Sequence, residues 1–98
     1  MSFRIQQTAH AQEDIEQISL WIARQGSVQA ALNWYQAINQ EFLKLAETPG
    51  TGTDQGDLRP GLRSSPFKNY LIFFNPTRTG IQIIRVIHGA RDYKRFFE

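Results

Sequence analysis

The chain has 98 residues, 41% of them apolar and 12% aromatic, and no Cys. This length fits a single domain over residues 1–98 with a core that needs no disulfide or metal support, and the missing Cys excludes disulfide stapling and thiolate chemistry. The formal net charge is +2, yet residues 1–56 carry three basic and six acidic side chains, and residues 57–98 carry eight basic and three acidic.

That change of sign predicts a basic face, suited to a phosphate backbone or an acidic protein. No cationic leader precedes an apolar run, and no window approaches the roughly 20 apolar residues of a membrane span. A soluble, cytoplasmic protein without membrane contact is expected.

The predicted elements begin with a short strand over Phe3 to Gln7, where apolar and polar residues alternate. Thr8 then caps a helix whose Ala11, Ile15, Ile18 and Ile22 repeat at helical spacing, with Glu13, Asp14, Glu16 and Gln17 mostly off that stripe. Gly26 ends this helix and Ser27 caps a second one. There Val28, Ala31, Tyr35, Ile38, Phe42 and Leu45 hold one face over about five turns. Two helices separated by two residues lie close to antiparallel, and neither hides its stripe alone, so they form a hairpin laid on a sheet. Trp21 and Trp34 are expected to pack at the hairpin seam or the sheet edge.

Thr48 to Pro60 reads as an irregular connection, rich in Gly, Thr, Asp and Pro. A short strand is expected at Leu62 to Ser64. A strongly apolar strand follows over Asn69 to Asn75, with Leu71 and Phe73 on one side and Tyr70, Ile72 and Phe74 on the other. Residues 76–80 form a turn, and Ile81 to His88 returns antiparallel. On this last strand Ile81, Ile83, Arg85 and Ile87 are expected to face one way, and Gln82, Ile84, Val86 and His88 the other. An antiparallel sheet with helices on one face normally turns polar residues outward on the other. Here the second face stays apolar, which implies that a partner covers it. Gly89 breaks the strand, and a short C-terminal helix tacks Phe96 and Phe97 to the domain. The fold class is therefore α+β: an N-terminal strand, and an antiparallel helical hairpin on a small, mainly antiparallel sheet.

No cofactor is expected, and no metal, since His10 and His88 lie on different elements with no Cys to join them. The glycines of residues 51–56 do not lead into a phosphate-binding Gly-Lys-Ser/Thr. What stands out is basic: Arg63, Lys68, Arg85 and Arg91, with Tyr70, His88 and Tyr93 near them in the pattern. Arg85 interrupts the apolar alternation between Ile83 and Ile87. A guanidinium at mid-strand must reach solvent, a phosphate or a carboxylate, with Asp92 and Asp57 as the candidate internal partners. Arg91 and Asp92 could likewise pair.

The run Leu62-Arg63-Ser64-Ser65-Pro66-Phe67-Lys68-Asn69-Tyr70-Leu71-Ile72-Phe73-Phe74, followed by Ile83-Ile84-Arg85-Val86-Ile87-His88-Gly89-Ala90-Arg91-Asp92, resembles the C-terminal half of ParE-type toxins of the ParE/RelE superfamily. The resemblance implies a toxin of a type II toxin–antitoxin system, held in a heteromeric complex by a small, partly disordered, DNA-binding antitoxin. It implies two candidate activities. ParE-like members poison DNA gyrase and are not known to cleave RNA; RelE-like members cut messenger RNA on the ribosome. A third reading is an inactive relative that serves as an antitoxin-binding co-repressor.

Arg63 and Arg85 match arginines shared with the ribonucleases, so a ribonuclease would draw on Arg63, Arg85, His88 and Tyr93. The lysine-rich segment typical of those ribonucleases is missing, since Thr51 to Asp57 contains no basic residue. The leading expectation is therefore a non-enzymatic gyrase poison. Arg63, Lys68, Tyr70, Phe74, Arg85 and Arg91 are its candidate target- or antitoxin-binding residues. Trp21, Trp34, Tyr35, Ile38, Phe42, Leu71, Phe73 and Gly89 are assigned structural roles.

Overall fold

Two helical stripes cover one face of a mixed sheet in the computed structural model, which describes residues 3–97. Strand β1 (Arg4–Gln7) leads into helix α1 (Ala9–Gln25), and helix α2 (Val28–Glu47) returns beside it. A two-residue β2 (Thr53–Asp54), then β3 (Arg63–Phe67), β4 (Tyr70–Pro76) and β5 (Gly80–His88) complete a five-stranded sheet of order β1-β5-β4-β3-β2. β1 pairs parallel with β5, and the other neighbours pair antiparallel. The expected short C-terminal helix is a 3₁₀ turn over Tyr93–Phe97. Among the described residues no helix is long and apolar enough to cross a membrane.

Both predicted helix caps form. The Thr8 side chain accepts from the Ala11 N–H, and the Ser27 side chain accepts from the Ala30 N–H, each at 3.0 Å. Each satisfies one of the backbone donors left open at a helix start. The 48–60 connection is more regular than its composition suggests, because it contains β2, and its Gln55 amide donates to the Ser64 hydroxyl at 2.9 Å. β3 runs past Ser64 to Phe67 and pairs with the whole first half of β4.

The main core lies between helices and sheet. It holds Ala11, Ile15, Trp34, Ile38, Phe42 and Leu45 with Ile72, Phe74, Ile81, Ile83 and Val86. On α2 the buried face runs through Ala31, Trp34, Ile38 and Phe42, which corrects the expected stripe. Positions 34 and 35 both satisfy helical spacing from Ala31, and the sheet takes the indole, which meets Phe67 and Tyr70 edge-on at ring separations of 6.2 and 5.7 Å. Tyr35 is left 49% exposed and Val28 69% exposed. Trp21 is also no packing residue: it is 57% exposed on α1.

The second sheet face required a larger correction. Phe73, Ile84, Ile87 and Leu62 form a second core there, and Leu58, Leu71, Tyr93, Phe96 and Phe97 pack against it. The chain supplies this cover itself, from the 48–60 connection and the C-terminal turn. The large exposed apolar side chains lie mainly on the hairpin instead, at Leu20, Trp21, Val28, Leu32, Tyr35 and Leu43.

The expected alternation along β5 holds only to Ile83. Phe74 pairs with Ile83 and Phe73 with Arg85, so Ile84 is an extra residue, a β-bulge. One inserted residue reverses every later side chain. Val86 therefore turns to the helices, and Ile87 to the second core.

Gly80 matters for a reason its turn position does not reveal. A Cβ there would run into the backbone carbonyl of Arg4, so this glycine permits β1 to pair with β5. Gly89 meets no such demand; its N–H extends the ladder by donating to the Asn69 carbonyl at 2.8 Å. Gly80→Ala is expected to displace β1 and cost about 2–3 kcal/mol, roughly 10–20 °C in melting temperature for a domain of this size. Gly50→Ala, with nothing within 4 Å of the added Cβ, is the control and should melt close to the parent. Thermal unfolding followed by circular dichroism checks both.

Candidate functional site

Beyond Gln7, β1 no longer covers β5, and the first turns of α1 take its place along the open strand edge. The Thr8 N–H donates to the Ile83 carbonyl at 3.0 Å, and the Thr8 hydroxyl donates to the Ile84 carbonyl at 2.7 Å. Six residues on, Asp14 meets Arg85. The guanidinium donates through Nε to Asp14 Oδ2 at 2.7 Å and through Nη2 to Oδ1 at 2.9 Å, while the Val86 N–H donates to Oδ2 at 2.9 Å. A two-pronged contact of this kind is among the stronger charge-assisted arrangements. The side chains of Arg85 and Asp14 are 16% and 15% exposed, so the pair is mostly shielded from water. It is the only ion pair among the described residues.

Arg85 thus finds the carboxylate that its place in an apolar strand demands, but on α1 rather than at Asp92 or Asp57. Asp14 sits three residues after Ala11 and four before Ile18, at the edge of the helical stripe. An acid at that spacing was the signal for a buried cation partner.

Around this pair lies a basic and aromatic face. The guanidinium carbons of Arg85 and Arg91 each lie 4.8 Å from the centre of the Phe96 ring, and that of Arg59 lies 5.6 Å from Phe97. These distances fit cation–π contact. A cleft of about 460 Å³ is lined by Arg91, Asp92, Arg95 and Phe96, and a smaller one by Thr8, His10, Arg59, Arg85, Phe96 and Phe97. Arg91 and Asp92 share the first cleft without forming an ion pair. Sequence reasoning passed over Arg59, which its loop position had hidden, and the use of Phe96 as a platform for two arginines.

The other predicted site residues scatter. Directly paired residues on neighbouring strands share a face. Arg63 pairs with Phe74 and His88 with Tyr70, which places both on the helical side; Arg85 pairs with Phe73, on the side where Tyr93 packs. The Arg63 guanidinium donates to the carbonyls of Thr51 and Gly52 at 2.7 and 3.0 Å, and so ties the 48–52 segment to β3. The exposed His88 accepts the Ala90 N–H on Nδ1 at 3.1 Å, and its ring stands edge-on to Tyr70 at 5.3 Å. Tyr93 is half-buried against Phe73 at a ring separation of 5.3 Å. Lys68 occupies the β3–β4 turn at φ 54°, with its ammonium 5.6 Å from the Phe67 ring centre. Phe74 is fully buried in the main core. The four residues that a ribonuclease would use therefore lie two on each face of the sheet.

A five-stranded sheet with a helical hairpin on one face and the C-terminal turn on the other defines the RelE/ParE-like arrangement of small α+β toxins. The family described as "ParE toxin of type II toxin-antitoxin system, parDE" matches residues 5–93, and the chain belongs to it. It is the toxin component of such a system, and that class of system implies a cognate antitoxin as partner. Toxin ParE3 of Caulobacter vibrioides is 26% identical over 89 residues, which cover 91% of this chain and 89% of that one. A solved structure described as the chromosomal ParDE toxin–antitoxin system from P. aeruginosa shares the fold. Its TM-score is 0.73 at 21% identity, covering 88% of this chain and 95% of the other.

Two predictions follow from this geometry. Asp14→Ala leaves a shielded guanidinium and the Val86 N–H without their acceptor, and is expected to cost about 2–3 kcal/mol. Asp14→Asn, which keeps an acceptor for Val86, should cost less; denaturant unfolding of the two variants checks the order. Tyr70 is the second case, because burial pushes its phenol above the ordinary 10.0. The folded chain then holds this proton more tightly than the unfolded chain, so the contribution is complete below pH 10 and is lost as the pH rises through the folded value. Tyr70→Phe should flatten the alkaline loss of stability in a pH series of melting curves.

Proposed function

We propose that this toxin acts as a non-enzymatic poison of DNA gyrase and is neutralised by its cognate antitoxin. The observation that carries the reading is the internal commitment of Arg63 and Arg85, the two arginines shared with the ribonuclease branch. A ribonuclease must bring a base for the 2′-hydroxyl, positive charge for the scissile phosphate and a proton donor for the leaving oxygen to one place. Here the guanidinium of Arg63 is bound by loop carbonyls and that of Arg85 by Asp14, and His88 and Tyr93 stand on opposite sheet faces. The resemblance of residues 62–74 and 83–92 to ParE-type toxins supports gyrase as the target.

The exposed apolar side chains of the hairpin support a protein partner, since a patch of that kind on a small soluble domain marks an interaction surface. Val28, Leu32 and Tyr35 line one wall of a groove, with Gln12, Glu16 and Ser19 of α1 on the other.

Purified gyrase supplies the test. Added protein is expected to reduce supercoiling and to raise the level of covalent cleavage complexes, and added antitoxin should reverse both. Unchanged supercoiling and unchanged cleavage complexes would overturn the reading, as would messenger RNA cleavage in a translating system.

A further inference from the structure

We propose that the face formed by the C-terminal turn and the 48–60 connection binds a phosphodiester backbone, with duplex DNA as its ligand; the inference deepens the gyrase reading by giving the toxin its own contact with DNA. Arg59, Arg91, Lys94 and Arg95 are all exposed. Asp14 engages Arg85 alone, and among the described residues none of these four cations has a carboxylate within ion-pair distance. Their charge is available to an outside ligand.

The aromatic rings decide what kind of ligand that is. A protein partner is usually anchored by apolar or aromatic side chains that enter it. On this face Tyr93 and Phe97 lie against Phe73, with ring separations of 5.3 and 4.9 Å, and Phe96 lies under Arg85 and Arg91. The exposed large apolar residues sit mainly on the hairpin. What remains is a surface on which four cations outnumber the exposed Asp54, Asp57 and Asp92, with little apolar anchorage, which suits a regular polyanion.

Arginines held over a ring are also pre-ordered. Arg91 on Phe96 and Arg59 on Phe97 have less side-chain freedom to lose on binding, and their unused N–H donors fit phosphate oxygens. Asp92, which lines the same cleft as Arg91 and Arg95, opposes an anion. It sets the expected binding as weak and free of sequence preference rather than tight.

Binding through charge has a measurable signature. Each phosphate neutralised on duplex DNA contributes about −0.9 to the slope of log affinity against log salt. Three or four cations give a slope of roughly −3 to −4.

The experiment is fluorescence anisotropy of a labelled DNA duplex with the full chain, without gyrase, over a series of salt concentrations. The parent is expected to bind at low salt with the slope above, and to bind several duplex sequences equally. Arg91→Gln/Lys94→Gln/Arg95→Gln should reduce the slope to about −1 while melting like the parent. Arg24→Gln/Arg78→Gln, exposed basic residues at the end of α1 and in the β4–β5 turn, should leave it unchanged. Absence of binding at low salt, or an equal slope in the triple variant, would overturn the proposal. So would tighter binding to a poly-glutamate peptide, which would make the ligand an acidic protein, or to duplex RNA, which would make it RNA. Because gyrase is absent, the outcome is independent of the supercoiling assay, and either reading can fail while the other stands.

Discussion

The bulge at Ile84 and the carboxylate of Asp14 hold three layers of this small protein together. Without the extra residue, Arg85 would keep the phase of Ile81 and Ile83 and point into the helical core. The bulge turns it to the other face at the place where β5 loses β1 as a neighbour. From there its guanidinium reaches Asp14 around the open edge, while the same carboxylate accepts the Val86 N–H. The helix layer is thereby tied to the sheet, and the Arg85 guanidinium carbon lies over the Phe96 ring of the C-terminal turn. A charge in this position would be costly if left unpaired; paired, it fixes how α1 lies along the strand.

This arrangement explains which parts of the fold were legible in the sequence. Helices and caps follow from local rules, and Thr8, Gly26 and Ser27 behave as their chemistry dictates. The apolar alternation of β4 is likewise a local property, and Phe73 and Phe74 fall on the expected opposite faces. The reversal along β5 was not legible, because Ile83 and Ile84 are both apolar and either can be the inserted residue. The same ambiguity affects Trp34 and Tyr35, neighbouring aromatic residues at equally acceptable helical spacings. Only tertiary packing decides between them, and it puts the indole beside Phe67 and Tyr70.

The candidate site shows a similar division. A mid-strand arginine in apolar surroundings announces that it needs an anion, but not which one. Asp92 and Asp57 were near in sequence, whereas Asp14, 71 residues away, was near in space. The apolar second sheet face was correctly read as needing a cover and wrongly read as needing a partner. The cover is four side chains from two segments outside the main strands, Leu58, Tyr93, Phe96 and Phe97, whose positions no periodicity encodes. With that face closed, the large exposed apolar side chains lie mainly on the hairpin, and Arg59, Arg91, Lys94 and Arg95 lie exposed on the segments that cover the other face. In the proposed function the first surface serves a protein partner, and in the further inference the second serves a polyanion.

The central claim is that Arg85 belongs to the scaffold rather than to the chemistry, and a paired substitution tests it most directly. Asp14→Asn with Arg85→Gln removes both charges while retaining an acceptor for the Val86 N–H. Growth arrest on induced expression would be measured for this variant and the parent, with the folded state of each verified by circular dichroism. The account predicts a folded variant that arrests growth like the parent. A folded variant that no longer arrests growth would contradict it, because it would place Arg85 among the groups that act on the target.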